Sequence, residues 1–250
     1  MKTSSYQSTK QLFVLLLLWL FLGAGGACQA QVEQKAAIYT TKSPGTGGTG
    51  KVYMGREIAR VIGTGGGGWL DRSTRQEEEN SLRAIDSMML SPQNVVADIG
   101  AGTGFYTFRV AEKIPKGKIY AVELQDAFVS ALKKRSQELG LSNVEVVKGG
   151  TKSINVPDAS LDLAFMVDVY HELEYPQEML QAIHRALKPG GKLLLMEYRA
   201  EDPKVAIREL HKMTAEQVKK ELEANGFKLF KREDSLPIQH FLMFERMEKK

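Results

Sequence analysis

Apolar residues along the second half of this chain fall into short blocks separated by amphipathic stretches. The blocks Val95–Ile99, Lys118–Glu123, Val144–Lys148, Leu161–Val167 and residues 193–197 are rich in Val, Ile and Leu, as strands covered on both faces are. Between them, residues 105–113, 127–139 and 176–187 carry apolar positions at helical spacing, and Pro189, Gly190 and Gly191 stop the last of these helices. Thr214 caps a further amphipathic helix over 214–225 that Gly226 ends. The blocks 227–232 and 241–245 then flank a Leu236-Pro237 turn as a hairpin. Strands alternating with helices predict an α/β fold with a doubly wound sheet. Upstream, residues 53–62 and 75–89 read as helices, and 42–52 and 63–68 as glycine-rich loops.

The first strand runs into Asp98-Ile99-Gly100-Ala101-Gly102-Thr103-Gly104 and then into a helix. Glycines at such a turn remove side chains where the backbone bends sharply and approaches a ligand. A dinucleotide fingerprint needs its third glycine at position 105, which is Phe105, so a nicotinamide-dependent oxidoreductase is disfavoured. The second strand ends in Glu123, about twenty residues beyond the turn, the place of a carboxylate that grips ribose hydroxyls. The D-x-G-x-G-x-G pattern, that acid, the Pro157, Asp158, Ser160, Asp162 set and the Lys188-Pro189-Gly190-Gly191 turn together resemble the class I S-adenosylmethionine-dependent methyltransferases.

The resemblance implies a Rossmann-like, mostly parallel seven-stranded sheet with an antiparallel strand in its C-terminal hairpin. It implies S-adenosylmethionine as cofactor, held by Asp98, Gly100, Ala101, Gly102, Gly104 and Glu123, with Leu124 and Gln125 flanking the adenine. Many members have an aspartate that accepts from the adenine amino group. Gly150 stands in that place here, which leaves Thr151 or a backbone carbonyl. The end of the fourth strand brings Asp168, Tyr170, His171 and Glu172 to the ligand edge, with Asp168 serving the cofactor as well. A sulfonium carries an already activated methyl group, so catalysis is chiefly positioning. Should the acceptor need to lose a proton, His171 is the first candidate base, then Tyr170 and Asp168, with Glu172 and the more distant His240 behind. Residues 31–93 are expected to cover the acceptor pocket, with Tyr53, Arg56 and Trp69 on the substrate side. The acceptor expected is a small or lipid-like molecule.

Composition narrows the picture without redirecting it. At 250 residues and 43% hydrophobic, the chain suits a single methyltransferase domain over 94–250 behind its extension. Net charge is +4, and +2 without Lys2 and Lys10, which gives no footprint for nucleic acid. Residues 42–52 fall short of a phosphate-binding loop because Val52 replaces the closing Ser or Thr, so they read as a flexible loop. The four histidines fit no linear metal-binding spacing, and Cys28 is the one cysteine, so no metal is expected. Residues 12–22 are an unbroken apolar run behind Lys2 and Lys10 and ahead of small residues, so 1–30 read as a signal peptide or signal anchor. That leader predicts an exported, periplasmic or membrane-anchored protein whose membrane contact is the leader itself or a lipidated Cys28. Because the implied cofactor is made in the cytosol, the alternative to an enzyme is an exported noncatalytic binding module.

Overall fold

A computed structural model describes residues 37–248. The leader of residues 1–30 and Cys28 lie outside the described residues. Among those described, no helix is long and apolar enough to cross a membrane.

The main sheet is built from β4 (Val95–Ile99), β5 (Lys118–Glu123), β6 (Val144–Lys148), β7 (Leu161–Val167), β8 (Leu187–Tyr198), β9 (Phe227–Glu233) and β10 (Gln239–Arg246). Its order is β6-β5-β4-β7-β8-β10-β9. Strands β4 to β8 pair in parallel, and β10 is antiparallel to both β8 and β9. This is the mostly parallel seven-stranded sheet with a C-terminal hairpin expected from the chain. Because β4 sits between β5 and β7, strand order reverses there, and the crevice beyond the carboxyl ends of β4 and β7 is the switch point where such sheets take ligands.

Side-chain alternation splits each central strand between two cores. Val96, Ile119, Phe165 and Met196 meet Ile85 of α3 (Ser81–Ser87) and Val110 of α4 (Phe105–Lys113) on one face. Ala97, Val122, Met166 and Leu195 meet Ile183 of α6 (Pro176–Ala186) and Leu222 of α7 (Ala215–Glu223) on the other. Leu132 of α5 (Asp126–Glu138) packs against Phe108 and Ala121. Gly104 caps α4 at φ +84°, and a Cβ there would lie 2.2 Å from the Phe108 ring, so this glycine is required by packing. The Thr214 hydroxyl accepts from the Gln217 N–H and caps α7 as expected.

The N-terminal extension departs from its sequence expectation. Residues 53–62 are not a helix: β2 (Gly48–Tyr53) turns through Met54 and Gly55 into β3 (Arg56–Ala59), and β1 (Tyr39–Thr41) pairs with β2. Met54 and Gly55 both have positive φ, the signature of a tight hairpin turn, and Met is an unusual residue for it. The glycine-rich stretch 42–52 is ordered, not a loose loop. Gly45 and Gly50 donate backbone N–H groups to Glu57 Oε1 at 3.0 Å each, and Lys42 Nζ lies 2.8 Å from Glu57 Oε2. The turn thus cradles an anion, but the anion is the chain's own buried carboxylate.

Residues 63–68 also fold, into a 3-10 turn at Thr64–Gly66 and the start of α1 (Gly67–Leu70). The helix expected over 75–89 is two, α2 (Arg75–Glu79) and α3, broken where Asn80 adopts φ +52°. The break turns Arg75 and Glu79 inward, where they pair at 2.9 Å and are both buried.

Candidate functional site

A cavity of about 770 Å³ opens at the carboxyl edge of β4, β5 and β7, under the extension. One half is formed by the glycine turn. Gly102, at φ +55°, donates its N–H to Glu123 Oε2 at 2.9 Å, and Gln125 donates its own to Oε1 at 2.8 Å. The Glu123 carboxylate is therefore fixed at the strand end, and each oxygen keeps acceptor capacity for a ligand hydroxyl. Gly100, Ala101, Gly102, Leu124, Gly150 and Thr151 line the same half. Gly104 does not: it serves the packing of α4.

Asp98 lies behind this turn, 3% exposed, and accepts from the Thr107 hydroxyl at 2.6 Å. Burial pushes its carboxyl up to about 7, against the hydrogen bond from Thr107, and the nearby Glu123 charge adds to the rise. Asp168 follows β7 at φ +54°. Its Oδ2 accepts from Gln239 Nε2 at 2.7 Å, while its Oδ1 is buried and has no hydrogen-bond partner among the described residues. Burial, then the Glu79 and Glu197 charges, push the Asp168 carboxyl well above its ordinary range.

The other half is formed by residues that converge from distant segments. His171 is 1% exposed, and its Nδ1 lies 2.6 Å from Glu197 Oε2. Glu197 Oε1 in turn accepts the N–H groups of Tyr170 at 2.7 Å and Val169 at 3.2 Å. The far side of the imidazole, Nε2, lies 3.1 Å from His211 Nδ1 and 3.7 Å from Glu172 Oε1. Burial alone would lower the His171 pKa, but the Glu197 and Glu172 carboxylates raise it to about 10. Glu172 is opposed by burial and held below its usual range by His171 and His211.

Tyr198 donates its hydroxyl to Glu79 Oε1 at 3.0 Å, and Arg72 bonds the same oxygen at 2.8 Å. This buried network ties α2 to the end of β8 and closes the cavity on that side. Apolar residues Val61, Trp69 and Leu124 line the cavity while remaining 48%, 45% and 39% exposed.

Several sequence candidates lie elsewhere. Tyr170 is fully buried, donates its hydroxyl to Glu221 at 2.8 Å and does not line the cavity. Arg56 pairs with the same Glu221 at 2.9 Å and donates to the His171 carbonyl, so it supports the site from behind. Tyr53 bonds Asn225, and His240 bonds Glu201. Trp69 does line the cavity, with the Arg72 guanidinium 3.9 Å above its ring. Sequence reading missed Glu197, which looks like an ordinary strand-end acid, and His211, which sits in an unremarkable Glu209-Leu210-His211 turn. No linear spacing joins either of them to His171.

The donor set suits S-adenosylmethionine. Glu123 offers anchored carboxylate oxygens for ribose hydroxyls, and the glycine turn presents backbone with no side chain in the way. Asp168 Oδ1 is a buried, unpartnered oxygen at the cavity, and a cationic ammonium group beside it would favour the ionised carboxylate. Gly150 brings no carboxylate to the cavity, and the neighbouring Thr151 is exposed.

Comparison with known proteins agrees with this geometry. A family model described as a methyltransferase domain matches residues 90–240. A ubiquinone/menaquinone biosynthesis C-methyltransferase of Hydrogenovibrio crunogenus is 28% identical over 117 residues, 46% of each chain. A tRNA U34 carboxymethyltransferase of Desulfotalea psychrophila is 32% identical over 101 residues, 40% of this chain and 31% of that one. The chain thus spans less than half the length of these curated relatives. A crystal structure of a SAM-dependent methyltransferase from Aquifex aeolicus superposes with a TM-score of 0.71 at 25% identity, covering 75% of this chain and all of that one.

Proposed function

The chain belongs to the methyltransferase-domain family, and from that premise we propose that it transfers a methyl group from S-adenosylmethionine to a small, lipid-like acceptor. The observation that carries the reading is Glu123, locked to the Gly102 N–H at the switch point of the sheet. S-adenosylmethionine supplies a methyl group already activated on a positive sulfur.

Glu123 would take the ribose hydroxyls, Gly100 to Gly102 would pass under the ligand, and Asp168 Oδ1 would accept from its ammonium group. The anchored Glu123 carboxylate lies in a partly buried space, where charge interactions exceed those in water. Val61 and Trp69 offer an apolar mouth to the acceptor. The extension lines the rest of the cavity, and the chain's contribution to rate is orientation of the acceptor against the methyl carbon. The nicotinamide reading remains disfavoured by Phe105, and the noncatalytic reading draws on the missing carboxylate at Gly150 and on a leader that would carry the domain away from a cofactor made in the cytosol. The leader belongs to the same proposal: residues 1–30 export or anchor the domain, and an apolar acceptor at a membrane surface suits that placement.

Calorimetric titration of S-adenosylmethionine, and separately of NAD, into the full chain tests the cofactor. A panel of quinol lipids and water-soluble phenols with labelled cofactor then tests the acceptor. Saturable S-adenosylmethionine binding lost in Glu123→Ala is expected. No binding by folded wild type would sink the enzyme reading, and label found only in water-soluble products would sink the lipid-like acceptor.

A further inference from the structure

The half of the cavity that holds His171 brings three donor atoms into an unusual arrangement. His171 Nε2, His211 Nδ1 and Glu172 Oε1 are separated by 3.1, 3.3 and 3.7 Å. A zinc-type ion bound at its ordinary distances holds tetrahedral neighbours about 3.3–3.5 Å apart. The three atoms therefore already form one face of such a tetrahedron. All three residues line the cavity, so the fourth position would open toward it.

Two of the three donors are also held from behind, as metal ligands are, and the third sits on a closed backbone turn. Glu197 holds His171 Nδ1 at 2.6 Å, which fixes the ring and turns Nε2 toward His211 and Glu172, where an ion would displace the proton that Nε2 carries without it. Glu197 is anchored by two backbone N–H groups. The Ile62 N–H reaches both Glu172 oxygens at 3.2 Å. His211 sits on a turn closed by its own N–H to the Arg208 carbonyl at 2.9 Å. Carboxylate, histidine and open position repeat the pattern of a catalytic metal centre.

We propose that His171, Glu172 and His211 form a binding site for one divalent transition-metal ion, with Glu197 as its orienting carboxylate and an open position facing the cavity. The two-nitrogen, one-oxygen donor set selects an ion of the zinc type over magnesium or calcium, which demand oxygen shells. The site goes beyond the methyl-transfer reading and does not depend on it. If both stand, the acceptor class narrows to molecules offering an oxygen or sulfur donor to the ion.

The test uses the full chain carrying Cys28→Ser, which removes its one thiol, stripped with chelator and titrated with zinc alone against a chromophoric competitor. One zinc per chain is expected. His211→Ala, whose side chain is 20% exposed, should abolish that binding with unchanged circular dichroism. Glu197→Gln, which keeps an acceptor for the backbone donors, should weaken it about 10- to 100-fold. Cobalt in place of zinc should give tetrahedral visible bands that vanish in His211→Ala. Stripped, folded protein that takes up no zinc overturns the site, and so does equal uptake by His211→Ala. S-adenosylmethionine titrated into the same preparations separates the two ideas. Zinc bound without the cofactor sinks the methyltransferase reading alone, while cofactor bound without zinc sinks this site alone.

Discussion

Asp98 is a carboxyl group that the fold keeps at the wrong end of its titration. It is 3% exposed beside the glycine turn, and burial lifts its pKa from 3.8 to about 7. A raised acid binds its proton more tightly when folded than when unfolded. Between pH 3.8 and 7 the native state therefore holds more protons, and stability falls as pH rises through that window. Above 7 both states are ionised and the loss is complete. At 1.36 kcal/mol per unit, a shift of this size costs about 4 kcal/mol in full, of which about 3 kcal/mol is lost between pH 5 and 8. Asp98→Asn keeps an acceptor for the Thr107 hydroxyl and removes the ionisation. Denaturant unfolding of wild type and variant, compared at pH 5 and 8, isolates the group, because the other titrations largely cancel in the difference. The variant's stability relative to wild type should rise by about 3 kcal/mol from pH 5 to 8. A difference that stays flat across that range would refute the assignment of the penalty to Asp98.

Three further outcomes follow from contacts. Glu123→Ala leaves the Gly102 and Gln125 N–H groups without their acceptor and removes the ribose partner, so S-adenosylmethionine affinity by calorimetry should fall at least about 100-fold, close to 3 kcal/mol. Gly150→Asp should be tolerated, since a Cβ there meets nothing closer than the Ser153 carbonyl at 3.7 Å, and a carboxylate beside the adenine should tighten the same binding about tenfold. Glu57→Ala strips the acceptor from the Gly45 and Gly50 N–H groups, and thermal unfolding should show a loss of about 2 kcal/mol with the sheet core intact.

What was legible in the chain, and what was not, divides along sequence separation. The core strands and the glycine turn are local statements: a β-branched block, a turn residue and a helix can be read within about fifteen positions because the forces that select them act over that range. The extension was misread for the same reason. Its hairpin depends on a Met54-Gly55 turn without the usual Asn-Gly signal, and its apparent flexible loop is ordered by Glu57, which binds back across it. A glycine-rich stretch reads as slack until the group that fills it is known.

The same rule separates the two halves of the cavity. The cofactor half is two strand ends apart, Gly102 to Glu123, and a pattern of spacing can carry it. The half around His171 joins Ile62, Glu172, Glu197 and His211, residues that only the strand order β4-β7-β8 and the folded-back extension bring together. Each of these looks bland alone: a strand-end acid, a turn histidine, a loop isoleucine whose backbone is what matters. Buried polar groups must find partners, and here the partners are other buried polar groups, so the cluster is stable only as a whole. The parts of the site least visible in sequence are thus those whose cost of burial is met entirely by tertiary contacts. That is also why a ligand of that half is better sought through the chemistry of His171, Glu172 and His211 than through the glycine motif.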